Sequence, residues 1–155
     1  MEMASSLGPA ALQLVHCSAE AAETIRREAG RAYPAEGCGA LVGPATGAVL
    51  EALPLPNAET ASPRTRFTVS PRDYLAAEED ADARGLLLLG FWHSHPDHPA
   101  RPSPTDRAHA WPGLLTLVIA VDRGEPGEMT AWEVPGPAEP FRRLGLEIGN
   151  GEEGR

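Results

Sequence analysis

Two imidazoles stand two residues apart in Gly90-Phe91-Trp92-His93-Ser94-His95-Pro96, at the end of the most strongly apolar stretch of the chain. On an extended backbone that spacing puts both rings on one side, whereas on a helix they would diverge by about 200°. Two nitrogens can then converge on one cation. An open tetrahedral zinc site needs a third protein ligand, and Asp106 is the nearest carboxylate on what reads as a rigid helix start. His-x-His plus Asp, with water in the fourth position, is a catalytic rather than a structural zinc pattern.

The same residues also admit plainer readings. Ser103-Pro104-Thr105-Asp106 is an ordinary helix start, with Ser as N-cap, Pro at the first helical position and Asp reaching back to the cap. The spacing recurs in Ser70-Pro71-Arg72-Asp73, where no chemistry is expected. Asp97, His98 and His109 lie close enough in sequence to compete as ligands. Specificity comes from the combination: His-Ser-His-Pro after an apolar strand, seven residues from Pro96 to Pro102, then Ser, two residues and Asp.

The elements that must carry these groups follow from periodicity. Leu12 to His16 alternates like a strand, and Ser18 opens a helix to about Ala32, with Ile25 and Ala29 on one face. Tyr33-Pro34 stops it. Ala40–Val42 and Ala48–Ala52 flank Gly43 to Gly47 as a hairpin, Pro54 to Arg64 is a polar loop, and Arg66–Val69 reads as a strand. Ser70-Pro71 caps a helix to about Arg84, and Leu86–Trp92 suits a central buried strand. His93 to Pro104 has loop composition, and a short helix begins at Ser103. Leu114–Val121 and Met129–Val134 are strands around a turn, and Phe141–Ile148 is a weaker closing element. Helices interleave with hairpins, so the expected class is α/β of the α+β type: a mixed, largely antiparallel sheet flanked by helices.

The 155 residues suffice for one soluble globular domain, expected over 11–148, with frayed ends at 1–10 and 149–155. All 13 basic side chains are arginine against 22 acidic ones, and the net charge of −9 argues against binding to phosphate backbones. Two cysteines, Cys17 and Cys38, cannot build a disulfide framework, and no stretch has the makings of an export signal or membrane helix, so a cytoplasmic location is expected. Cys38, two residues from Glu36, is read as a packing residue with a place at the zinc pocket as the alternative. Alone, Glu36 reads as a surface turn residue.

His93-Ser94-His95, seven residues, Ser103, two more and Asp106, with Glu36 upstream in Ala35-Glu36-Gly37-Cys38-Gly39, closely resembles the JAMM motif of the MPN+ metallopeptidases. Ser62-Pro63-Arg64-Thr65-Arg66-Phe67 and Ser70-Pro71 add a likeness to the compact prokaryotic branch, and the resemblance spans roughly Leu12 to Val134. It implies an MPN/JAMM (cytidine-deaminase-like) domain in which His93, His95 and Asp106 hold one Zn2+, Glu36 is the general acid/base and Ser103 supports the developing oxyanion. It also implies hydrolysis of an amide or isopeptide bond after the C-terminal glycine of a ubiquitin-like partner, in bacteria a sulphur-carrier protein or its conjugates. The alternative within the resemblance is an MPN-fold interaction scaffold without catalysis. An amidohydrolase also opens with His-x-His, but its barrel requires at least ~200 residues. A nucleobase deaminase requires a Pro-Cys-x-x-Cys after His-x-Glu, which is absent.

Overall fold

The computed structural model describes residues 14–149. Strand β1 (Leu14–Ser18) passes directly into helix α1 (Ala19–Ala32), because Ser18 is the last strand residue and also the N-cap, its hydroxyl accepting from the Ala21 amide. Strands β2 (Cys38–Gly43) and β3 (Glu51–Leu55) form a hairpin, and helix α2 (Pro71–Ala83) follows, capped by Ser70 with Pro71 in the first turn. Strand β4 (Leu87–Pro96) leads to the short helix α3 (Pro104–Ala108). The chain closes with β5 (Leu115–Asp122), β6 (Glu125–Glu133) and β7 (Arg142–Gly149).

The seven strands run in the order β1-β7-β6-β5-β4-β2-β3. β1 with β7 and β4 with β5 are parallel, and the other four pairings are antiparallel. The sheet is therefore mixed and largely antiparallel, as the sequence implies. Alternation along β2 and β4 divides the core. Leu41 and Trp92 face α1 together with Ile25, Ala29, Leu117 and Ile119. Ala40 and Phe91 face α2 together with Val69 and Ala77. Close contact of β2, β3 and Trp92 leaves no room at Gly39, where a Cβ would fall 2.0 Å from the Leu53 carbonyl oxygen and 2.4 Å from the Trp92 ring nitrogen.

Four local expectations are corrected. His93 to Pro96 is strand and not loop: β4 is paired on both sides, to β2 at His93 and to β5 through Pro96, so neighbours satisfy a backbone that composition alone assigns to a loop. Arg66 to Val69 joins no ladder, because the Asn57 side chain takes the Thr68 amide and the Arg66 carbonyl while Ala58 donates to the Thr68 carbonyl. The second hairpin strand begins at Glu51 and not at Ala48. Val49 is drawn away to bridge β1, its amide donating to the His16 carbonyl at 2.8 Å and its carbonyl accepting from the Ser18 amide at 2.9 Å. That bridge brings the two ends of the sheet together, so the sheet curls around α1. Gly149, expected in the tail, ends β7; residues 1–10 and the rest of the tail lie outside the described residues.

Candidate metal centre

His93 and His95 leave the same face of β4, and their ring centroids are 5.1 Å apart. Both Nε2 atoms approach one carboxylate oxygen, Asp106 Oδ2, at 3.2 and 2.9 Å. One ligand-type atom from each of the three buried residues falls within 4.8 Å of the others. α3 makes this possible at the Asp106 end. Ser103 Oγ accepts from the Asp106 amide at 3.0 Å, and Asp106 Oδ2 accepts in return from the Ser103 amide at 2.8 Å. This reciprocal box fixes a carboxylate that the short helix alone could not hold. Because the cap uses a lone pair of Ser103 Oγ, its O–H stays free to donate, and capping does not compete with a donor role.

Glu36 lies between α1 and β2 and is buried. Its amide donates to the Pro63 carbonyl at 2.7 Å and its carbonyl accepts from Asn57 Nδ2 at 3.1 Å. The next residue is stitched to the histidine pair: the Gly37 amide donates to Ser94 Oγ at 2.8 Å, and the Ser94 amide to the Gly37 carbonyl at 3.0 Å. Glu36, His95 and Ser103 line one groove of about 430 Å³, together with Thr65, His98 and Arg101. The fold thus brings all five sequence-derived residues to one place.

Burial pushes the Glu36 carboxyl up to about 8, with the Asp106 charge adding to the effect and His95 opposing it. Burial holds His93 below its usual value. For His95 burial acts downward, but bonds to Asp106 and Pro99 outweigh it and leave the ring above its usual value. Burial of Asp106 is likewise outweighed by its histidine contacts, which hold it well below the usual carboxylate range.

The donor set fits a zinc ion. His95 Nδ1 is 2.9 Å from the Pro99 carbonyl oxygen, which can only accept, so Nδ1 carries the proton and Nε2 of the neutral ring presents a lone pair. A lone pair 2.9 Å from a carboxylate oxygen needs a proton or a cation between them. Neither His93 nitrogen has a hydrogen-bond partner although the ring is fully buried, and Glu36 Oε1 is also unpartnered. Two ligands on bonds of about 2.0–2.1 Å in a tetrahedral site stand about 3.3 Å apart, near the spacings observed.

The competing ligands fall away. Asp97 accepts from the Tyr33 hydroxyl, His109 Nδ1 donates to the Thr105 carbonyl, and His98 lines the groove without joining the triad. Cys38 points into the α2-side core, its thiol donating to the Leu55 and Pro56 carbonyls. Sequence reasoning gave no role to Ser94, Asn57 or Phe67. The Phe67 ring lies against His93 at 4.5 Å and 21°. Nothing in sequence spacing signals such contacts; only Ser94, framed by the two histidines, was a visible candidate.

Solved structures share the fold. The chain is similar to a protein from Desulfitobacterium hafniense, with a TM-score of 0.76 at 29% identity over 88% of this chain and 93% of that one. It also resembles a JAB1/MPN domain protein from Archaeoglobus fulgidus, with a TM-score of 0.57 at 20% identity over 87% and 99%, a likeness of fold alone. The family described as prokaryotic homologs of the JAB domain matches residues 18–135. The chain belongs to this family, the compact prokaryotic branch of the JAMM/MPN hydrolases. Among relatives, a desampylase from Haloferax volcanii is 37% identical over 117 residues, covering 74% of this chain and 79% of that protein. A probable TtuB-protein conjugate cleaving protease from Thermus thermophilus is 39% identical over 84 residues, about half of each chain at 54% and 55%.

Proposed function

We propose that this protein is a zinc isopeptidase that cuts the amide or isopeptide bond after the C-terminal glycine of a ubiquitin-like, sulphur-carrier type protein. The observation that carries the reading is the convergence of His93, His95 and Asp106 beside Glu36 in one groove. The two relatives named for desampylation and for cleaving protein conjugates support it. His93, His95 and Asp106 would hold one zinc per chain. When bound, zinc supplies Lewis-acid polarisation of the scissile carbonyl and lowers the pKa of water towards about 7.

The chain's own residues divide the remaining work. Glu36, which lines the groove, takes the proton of the attacking water and returns it to the departing amine. The Ser103 O–H donates to the carbonyl oxygen as negative charge develops there. His95 keeps its Nδ1 proton on Pro99 throughout. An extended glycine tail adds its backbone beside the site, consistent with a groove of this size. Among the described residues no helix is long and apolar enough to cross a membrane.

The test is incubation of the zinc-loaded protein with conjugates of candidate carriers, one arm carrying a single amino acid and the other a protein, read by intact mass. Release of a carrier ending in free glycine is expected. Zinc-loaded protein that leaves every conjugate intact would favour the non-catalytic scaffold.

A further inference from the structure

If His95 is held by the Pro99 carbonyl, something must hold that carbonyl in turn: the Arg101 amide donates to it at 2.8 Å, so the Ala100–Arg101 peptide must itself be fixed. Pro99 has no amide to donate, and the local bond from the His98 amide to the His95 carbonyl is long at 3.4 Å. The loop is anchored instead from two sides. Outside, the Asp97 amide donates to the Val121 carbonyl at 2.7 Å, while its carboxylate accepts from the Tyr33 hydroxyl and the Arg123 amide, each at 2.7 Å. Inside, Thr130 of β6 donates its hydroxyl to the Ala100 carbonyl at 2.7 Å. The same hydroxyl oxygen accepts from Trp132 Nε1 at 2.7 Å, so both its donor and an acceptor site are committed. Thr130 is only 2% exposed and Ala100 4%, so no solvent substitutes for this bond.

We propose that Thr130 is a positioning residue for His95. By holding the Ala100 carbonyl it orients the Ala100–Arg101 peptide, whose N–H donates to the Pro99 oxygen, and that oxygen then fixes the proton on His95 Nδ1 and turns the Nε2 lone pair towards Asp106. The inference rests on the reading of His95 as a ligand. A hydrogen-bonded carbonyl behind a ligating imidazole sets both tautomer and ring angle, which is why such partners affect metal affinity without touching the metal.

Thr130→Val keeps the branched shape and removes the hydroxyl, whereas Thr130→Ser keeps the hydroxyl. Zinc affinity is measured by chelator competition, with circular dichroism reporting the fold. The expected result is zinc binding weakened about 10- to 100-fold in Thr130→Val and restored to near the starting value in Thr130→Ser. Trp132→Phe removes the donor to Thr130 but leaves the bond to Ala100, so it should alter stability without changing zinc affinity. Nitrogen NMR of the metal-free, unsubstituted protein reads the ring protons directly and does not depend on any variant folding: His95 should carry a proton on Nδ1 whether or not Nε2 shares one with Asp106, and a ring protonated on Nε2 alone overturns the proposal. So does a folded Thr130→Val that binds zinc normally. If His95→Ala also binds zinc normally, the ligand reading itself is wrong; if His95→Ala loses zinc while Thr130→Val does not, only the role of Thr130 is lost.

Discussion

A carboxyl group buried without a partner for one of its oxygens is costly, and Glu36 is in that position. Its role in proton transfer predicts that Glu36→Gln keeps zinc and fold yet loses about 10²- to 10⁴-fold in turnover. Zinc loss in proportion to activity would make Glu36 a ligand or a structural residue instead. The metal-free protein offers a second readout. Burial raises this carboxyl from 4.5 to about 8, so the native state keeps a proton that the unfolded chain has released. Where the native state binds more protons, stability falls as pH rises. The contribution of Glu36 is therefore lost progressively between those two values, with a limiting slope of about 1.4 kcal/mol per pH unit. His93 and His95 are common to variant and wild type, so the difference between the two isolates Glu36. Denaturant midpoints for chelator-treated protein should show Glu36→Gln gaining on wild type from pH 5 to pH 8; parallel curves would count against the raised carboxyl.

At the scale of elements, α2 and α3 begin with the same Ser-Pro-x-Asp pattern and the same capping bond, the serine oxygen accepting from the aspartate amide at 3.1 and 3.0 Å. They differ in what the aspartate does next. Asp106 closes a capping box and faces two histidines, whereas for α2 the cap is the serine bond alone. Ser70→Ala should therefore cost about 0.5 to 2 kcal/mol in stability and leave kcat nearly unchanged. Ser103→Ala should cost a similar amount in stability, retain zinc, and lose about 10²- to 10³-fold in kcat, because the O–H left free by the cap is the proposed donor. Thermal melts and initial rates on the pair decide the matter. Equal, small effects on kcat would reduce Ser103 to a helix cap.

Across the whole molecule, the curled sheet separates two apolar compartments, each with one cysteine: Cys17 among the α1-side residues and Cys38 among the α2-side residues. Burial pushes their thiols up to about 11 and about 12, so neither supplies much thiolate near neutral pH. Neither thiol should react with iodoacetamide at pH 8 while the protein is folded, and both should be labelled in denaturant, as mass spectrometry can count. Zinc removal alone should leave Cys38 unlabelled; labelling on chelation would place it at the metal centre after all.

Much of the site was legible because its geometry is local. A spacing of two on a strand puts His93 and His95 on one face whatever surrounds them, and Ser103 and Asp106 meet across a single helical turn. The family resemblance added Glu36, which composition alone left as a surface turn residue, and the caps at Ser18, Ser70 and Ser103 fell where hydroxyl chemistry places them. What remained hidden was set by contacts between residues far apart in the chain. His93 to Pro96 has the composition of a loop, yet it is strand because β2 and β5 flank it. Arg66 to Val69 has the composition of a strand, yet Asn57 takes its backbone groups first. Val49 leaves the hairpin because β1 offers it a partner, and Ser94, Phe67 and Thr130 meet the site only once the sheet has formed. Side-chain period and capping are fixed by neighbours a few residues away, so sequence determines them; which strand satisfies which backbone group depends on the whole sheet, so only the tertiary structure decides it.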